Sequence, residues 1–175
     1  MKINFYVIII FIILCAACSP QMTPLRGSYE VSPFQVISEK QIDTIWSNII
    51  DLFATKGLSI KVIDKNSGLI VSEKTSLISN YTFEDDRGKL LNTNAWVVIN
   101  RIQWMGSNVT PERLTGEWNV RIKPYAGGKT AINVNLTNIE GTRHYAKADY
   151  SPEQNFVFEG HSTGKFEQTI ADIIK

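Results

Sequence analysis

One amphipathic stripe constrains this chain more than any other feature. Ile42, Ile45, Trp46, Ile49, Leu52 and Phe53 recur at three- and four-residue spacing. That spacing puts them on one face of a helix running to about Lys56. Gly57 follows as a left-handed stop. Ahead of the stripe, Ser38-Glu39-Lys40-Gln41 has capping-box spacing, with a hydroxyl and an amide placed for the free amides of a first turn. A face this broad must be covered by another layer, and the residues behind it alternate as a strand should. Leu58, Ile60 and Val62 stand against Ser59 and Lys61, Asp64 to Gly68 carry turn chemistry, and Leu69 to Glu73 lead back as a hairpin.

Further strands are expected before and after. Phe34 to Ile37 reads as a first strand, with Pro33 suited to its start. Ala95 to Trp104 reads as one strand buried on much of both faces. Trp118, Val120 and Ile122 point inward against Asn119, Arg121 and Lys123, Gly127-Gly128 turns the chain, and Ile132, Val134 and Leu136 return with the same alternation. Residues 75–94 are less readable, with Glu84 to Lys89 as a solvated turn. Ile139 to Gly160 is expected to be a long connection, and such connections in compact domains are often functional. Ser162-Thr163 would cap a closing helix whose buried stripe is Phe166, Ile170, Ile173 and Ile174.

The expected order is strand, helix, strands, helix. It implies an α+β domain, an antiparallel sheet of about five to six strands with two helices packed on one face. Residues 29–175 hold one such domain, which their number suits.

The amino terminus carries an address. Met1-Lys2 supplies a positive charge, Ile3 to Leu14 is almost wholly apolar, and small residues follow; these are the three parts of a secretory signal. A dozen residues at about 1.5 Å each reach roughly 18 Å, short of the ~30 Å hydrocarbon core. Leu14-Cys15-Ala16-Ala17-Cys18 resembles the lipobox of bacterial lipoproteins, with Cys15 where that family usually has Leu. The resemblance implies that residues 1–17 are a signal peptide and that Cys18 is acylated on sulfur and amine. More than one acyl chain is needed for durable attachment. Ser19 at the next position implies, again by resemblance, the outer membrane. Residues 18–28, with two prolines, a glycine and small polar residues, read as the lipidated Cys and a flexible tether.

The stretch from Gln41 to Lys74 resembles lipoproteins with a helix-grip domain of the BamC type. The residues that carry it are the helix with Trp46, then Gly57-Leu58, then Ile63-Asp64-Lys65-Asn66-Ser67-Gly68-Leu69-Ile70-Val71. This implies a helix-grip-like domain, and a role in the assembly of other envelope proteins.

Charge and chemistry exclude several classes. The chain has 18 Lys and Arg against 17 Asp and Glu, and cleavage after Ala17 removes Lys2 alone. The balance gives no electrostatic case for nucleic acid. Of two cysteines, Cys15 leaves with the signal and Cys18 takes the lipid, so a packed core must supply the stability. His144 and His161 have no partners at ligand spacing, so neither a metal nor a cofactor is indicated. Gly127-Gly128-Lys129-Thr130 shares the end of a phosphate loop but lacks its earlier glycine. Glu84, Asp85 and Asp86 lack the oxygen spacing of calcium loops. No Ser stands in a Gly-x-Ser-x-Gly elbow. Three N-x-S/T sequons begin at Asn80, Asn108 and Asn135.

Trp46, Trp96, Trp104 and Trp118 all lie on apolar stripes, with Trp104, beside Met105-Gly106, the best placed to be exposed. The expected activity is non-enzymatic binding of another envelope protein, or an assembly accessory role. The alternative is a carrier of a small apolar ligand or lipid between helix and sheet. The candidate contact residues are Trp104, Arg143, His144 and Tyr145.

Overall fold

The computed structural model describes residues 19–29, 34–149 and 151–174. Cys18 and the whole proposed signal lie outside them. The helix α1, Ile42–Thr55, buries Ile45, Trp46, Ile49, Leu52 and Phe53 as its spacing requires. It ends in a Schellman motif: Gly57 at φ +66° lets its N–H reach Ala54 O at 3.1 Å and lets Leu58 N reach Phe53 O at 2.8 Å.

The capping box does not form. Gln41 is the N-cap and makes no side-chain cap, because β2, Phe34–Ser38, runs to the serine itself and the helix begins four residues later. Ser38 Oγ instead donates to Ile174 O at 2.6 Å, and Lys40 Nζ donates to Ile173 O at 3.1 Å. The predicted cap of one helix thus satisfies the far end of another, α2, Lys165–Ile174.

Two long strands form the spine. β10, Arg113–Pro124, and β11, Thr130–Tyr145, pair antiparallel over almost their whole length. β11 is flanked by β2 over Thr130 to Val134 and by β12, Gln154–Phe158, over Gly141 to Tyr145. β10 is flanked by β4, Leu69–Ser72, and by β5, Thr75–Ser76. β3, Ile60–Asp64, completes this seven-stranded sheet beyond β4. The β3–β4 turn is held by Asp64, whose Oδ1 accepts from Asn66 N at 3.0 Å.

Two three-stranded sheets were not foreseen. One orders β1, Gln21–Thr23, then β8, Arg101–Trp104, then β9, Ser107–Val109. The other orders β13, Gly160–Ser162, then β7, Val97–Ile99, then β6, Tyr81–Thr82, the last pair parallel. Among the described residues, strand accounts for 47% and helix for 18%. The architecture is therefore mostly β, with thirteen strands in three sheets and two helices among the described residues. It is not the α+β, helix-grip-like sheet of five to six strands with two helices on one face.

The error has local causes. Strands of two to four residues are too short to show a period of two. The supposed single strand 95–104 is broken at Asn100, where the chain passes from one sheet to another. Asn100 N donates to Glu159 O and Asn100 Oδ1 accepts from Glu159 N, each at 3.0 Å. The supposed tether contains β1, paired with β8 through Met22 and Ile102.

The long connection expected from Ile139 is in its first part a continuation of β11. Asn138 sits at φ +52°, and Asn138 and Ile139 together oppose Gly116, since Glu117 pairs with Thr137 and Thr115 with Glu140. This β-bulge exchanges the two faces of the strand. Ile132, Val134 and Leu136 are buried before it, and Gly141 is buried after it. A reader following one parity loses the strand at that residue. Between helices and sheet, Ile45, Ile49, Phe53, Phe166 and Ile170 meet Ile70, Val120, Ile132 and Val134 in one buried core, with the Trp118 and Phe166 rings 3.7 Å apart.

Candidate functional site

The four candidate contact residues divide by strand geometry. Arg143 and Tyr145 share one face of β11 and His144 the other. Tyr145 lies 5.2 Å from Trp104 and 5.9 Å from Phe156, and the Arg143 guanidinium lies 4.8 Å over the Tyr145 ring. Trp104 is 9% exposed, so the tryptophan expected to be most exposed is buried in a filled aromatic corner. His144 is exposed, its Nδ1 2.7 Å from Asn155 Oδ1. Arg143 also faces Glu112 at 3.8 Å.

A cleft of about 520 Å³ opens elsewhere, around the bulge of β11. Its floor is Asn135 to Ile139; Phe34 of β2, the lead residues Ser28 and Tyr29, and the segment from Gly160 to Gly164 form its walls, with Glu167 of α2. No described strand pairs with β11 on this edge between Val134 and Gly141, which leaves the sheet open where β2 ends and β12 has not begun.

Tyr29 is held in place by a carboxylate read from sequence as part of a solvated turn. Glu84 is buried, and its two oxygens accept from Arg26 N at 2.7 Å and Gly27 N at 2.8 Å, and from the Tyr29 hydroxyl. Burial alone would raise this carboxyl. The hydrogen bonds from Arg26 N, Tyr29 and Gly27 N, with the Arg26 charge, outweigh it and hold Glu84 below the usual carboxylate range. The phenol of Tyr29 is pushed well above its ordinary value by burial, then by the bond to Glu84 and its charge. So fixed, the Tyr29 ring stacks on His161 at 5.8 Å and 16°. The neighbouring Asp85 Oδ1 closes the turn proper, accepting from Arg87 N at 2.8 Å and Lys89 N at 2.9 Å.

Glu167 has the opposite environment. It is 4% exposed. Its Oε1 accepts from the Ser162 hydroxyl at 2.7 Å, and its Oε2 is buried without a hydrogen-bond partner. Burial pushes its carboxyl above the usual range, against the pull of the Ser162 hydroxyl and of its own backbone amide. Ser162 and Thr163 do serve the start of α2, as expected: Ser162 Oγ accepts from Gly164 N at 3.1 Å and Thr163 Oγ1 from Lys165 N at 3.3 Å. Thr163 Oγ1 also donates to Ala95 O at 2.5 Å, tying the helix start to the β7 sheet.

Sequence reasoning missed Glu167, although a signal was present. Glu167, Ile170, Ala171 and Ile174 are spaced i, i+3, i+4, i+7, so an acid occupies a position that the helical period reserves for a buried residue. Ser28, Tyr29 and His161 gave no such signal, since only the fold brings them together. Among the described residues, no group of three or more His, Cys, Asp and Glu side chains is placed to hold a metal ion. No family model matches the chain, and no curated protein matches it either.

Proposed function

We propose that this chain is a non-enzymatic protein of the bacterial cell envelope, anchored by lipid at Cys18 in the outer membrane, as Ser19 implies, that acts by binding another envelope protein. The observation that supports it is the cleft at the β11 bulge. It falls in the size range of binding sites, and it is built on rigid elements: the spine strand, the start of α2, and a lead segment clamped by Glu84. Its lining sets one carboxyl among hydroxyls, side-chain amides and apolar walls, which suits recognition of a protruding group. The carrier alternative needs a hollow between helices and sheet, and there Trp118 and Phe166 are in contact within the buried core.

The test is photocrosslinking in intact cells from position 28, an exposed residue on the cleft rim. One envelope protein captured in stoichiometric yield is the expected result, with loss of capture after Cys18→Ser releases the chain from the membrane. Repeated recovery of the chain alone would overturn the reading, as would turnover of a substrate by the isolated domain.

A further inference from the structure

Glu167 narrows what the cleft can hold. A buried carboxyl oxygen without a partner costs free energy that a well-placed donor would recover. The described lining includes no Lys or Arg, and its other titratable side chains are Tyr29 and His161. Tyr29 is engaged by Glu84, and the exposed His161 ring lies against Tyr29. The described lining therefore supplies no lysine or arginine for its buried acid, and among the described residues Ser162 satisfies one oxygen only.

Three kinds of ligand group can be compared on this lining. An anion would meet Glu167 with repulsion. A purely apolar group would leave Oε2 unpaired. A primary ammonium brings three donors: the Glu167 carboxyl takes one, and the side-chain amide oxygens of Asn135 and Asn138 offer acceptors for others. Its alkyl stem has Phe34, Leu136 and Ile139 to lie on, and the Tyr29–His161 stack presents aromatic surface to the charge.

We propose that the cleft receives a protonated primary amine, which ion-pairs with the carboxyl group of Glu167. This rests on the binding function above and specifies its chemistry: the partner presents a lysine side chain, or a small alkylamine competes for the same place.

The experiment is NMR titration of the domain with n-pentylammonium and with its neutral isostere 1-pentanol, following the ¹³C resonance of the Glu167 carboxyl. Pentylammonium is expected to bind roughly tenfold tighter or more, as a charge-assisted bond implies, and to perturb the Glu167 carboxyl resonance where 1-pentanol does not. Glu167→Gln should abolish the preference, and Glu167→Asp, which keeps the charge, should retain part of it. Tighter binding of Nα-acetyl-lysine amide, whose ε-ammonium is free, than of cadaverine assigns the site to a lysyl side chain, and the reverse order assigns it to a free amine; both support the ammonium. Equal affinity for the two isosteres, or a preference that survives Glu167→Gln in a variant with wild-type near-ultraviolet dichroism, overturns the proposal. Crosslinking from position 28 decides the partner separately: capture without an ammonium preference sinks only this inference, and an ammonium preference without capture sinks only the partner.

Discussion

The Ser38 hydroxyl donates to the Ile174 carbonyl at 2.6 Å, across 136 positions of sequence. It joins the end of β2 to the last turn of α2 and gives a buried carbonyl at a helix terminus the partner it lacks within the helix. Ser38→Ala should lower unfolding free energy by about 1–2 kcal/mol, read from urea midpoints. An unchanged midpoint would mean that water takes the place of the hydroxyl.

Gly68 turns the β3–β4 hairpin at φ +70°, and an added Cβ would stand 1.9 Å from Ile122 O. The same Gly68 carbonyl accepts from Ile122 N at 2.8 Å, so the backbones cannot move apart without losing that bond. Gly106 has a similar φ of +75° with open space where its Cβ would be. Gly106→Ala should therefore cost only about 1–2 kcal/mol of left-handed strain, and Gly68→Ala distinctly more, by roughly 1–3 kcal/mol of overpacking. Equal losses in paired denaturation curves would refute the close approach.

Asn138 at φ +52° makes the bulge that lets both halves of β11 face the core. Glycine adopts that conformation freely, whereas a β-branched residue does not. Asn138→Gly should leave the melting temperature within a few degrees of wild type. Asn138→Val should destabilise by about 1–2 kcal/mol and broaden the amide resonances of Asn135 to Ile139, the floor of the cleft.

Glu84 and Glu167 should impose opposite pH dependences on stability. The folded Glu84 carboxyl titrates below its unfolded value, so its contribution is present above about pH 4.3 and is lost as pH falls through the folded value. Glu167 titrates above its unfolded value, so its contribution is complete below about pH 4.3 and is lost as pH rises through the folded one. Glu167→Gln should gain on wild type as pH rises, and Glu84→Gln should flatten the acid side of the curve. Urea midpoints from pH 3 to 8 check both; a Glu167→Gln advantage that is greatest in acid would reverse the assignment.

How far the fold could be read depended on the length of each element. α1 and its glycine stop, the β3–β4 hairpin and the paired centres of β10 and β11 were legible, because each repeats its period several times. β5, β6, β7 and β9 have two or three residues each, and so few positions cannot separate a strand from a loop. Glu84 sat in what looks like a turn of charges, yet its oxygens hold the lead segment.

Local order of this kind is written along the chain: which segments coil, which extend, and where glycine must stop or turn them. The cleft is a matter of tertiary structure alone. Ser28, Asn138 and His161 are separated from one another by tens of residues, and with Glu167 they share a site only because an extra residue in β11 rotates the strand, Glu84 draws the lead across the domain, and Ser162 and Thr163 pin the start of α2 beside it. Periodicity reports which side of a segment is apolar; it carries no information on which other segment arrives there, since that is set by the packing of all of them at once.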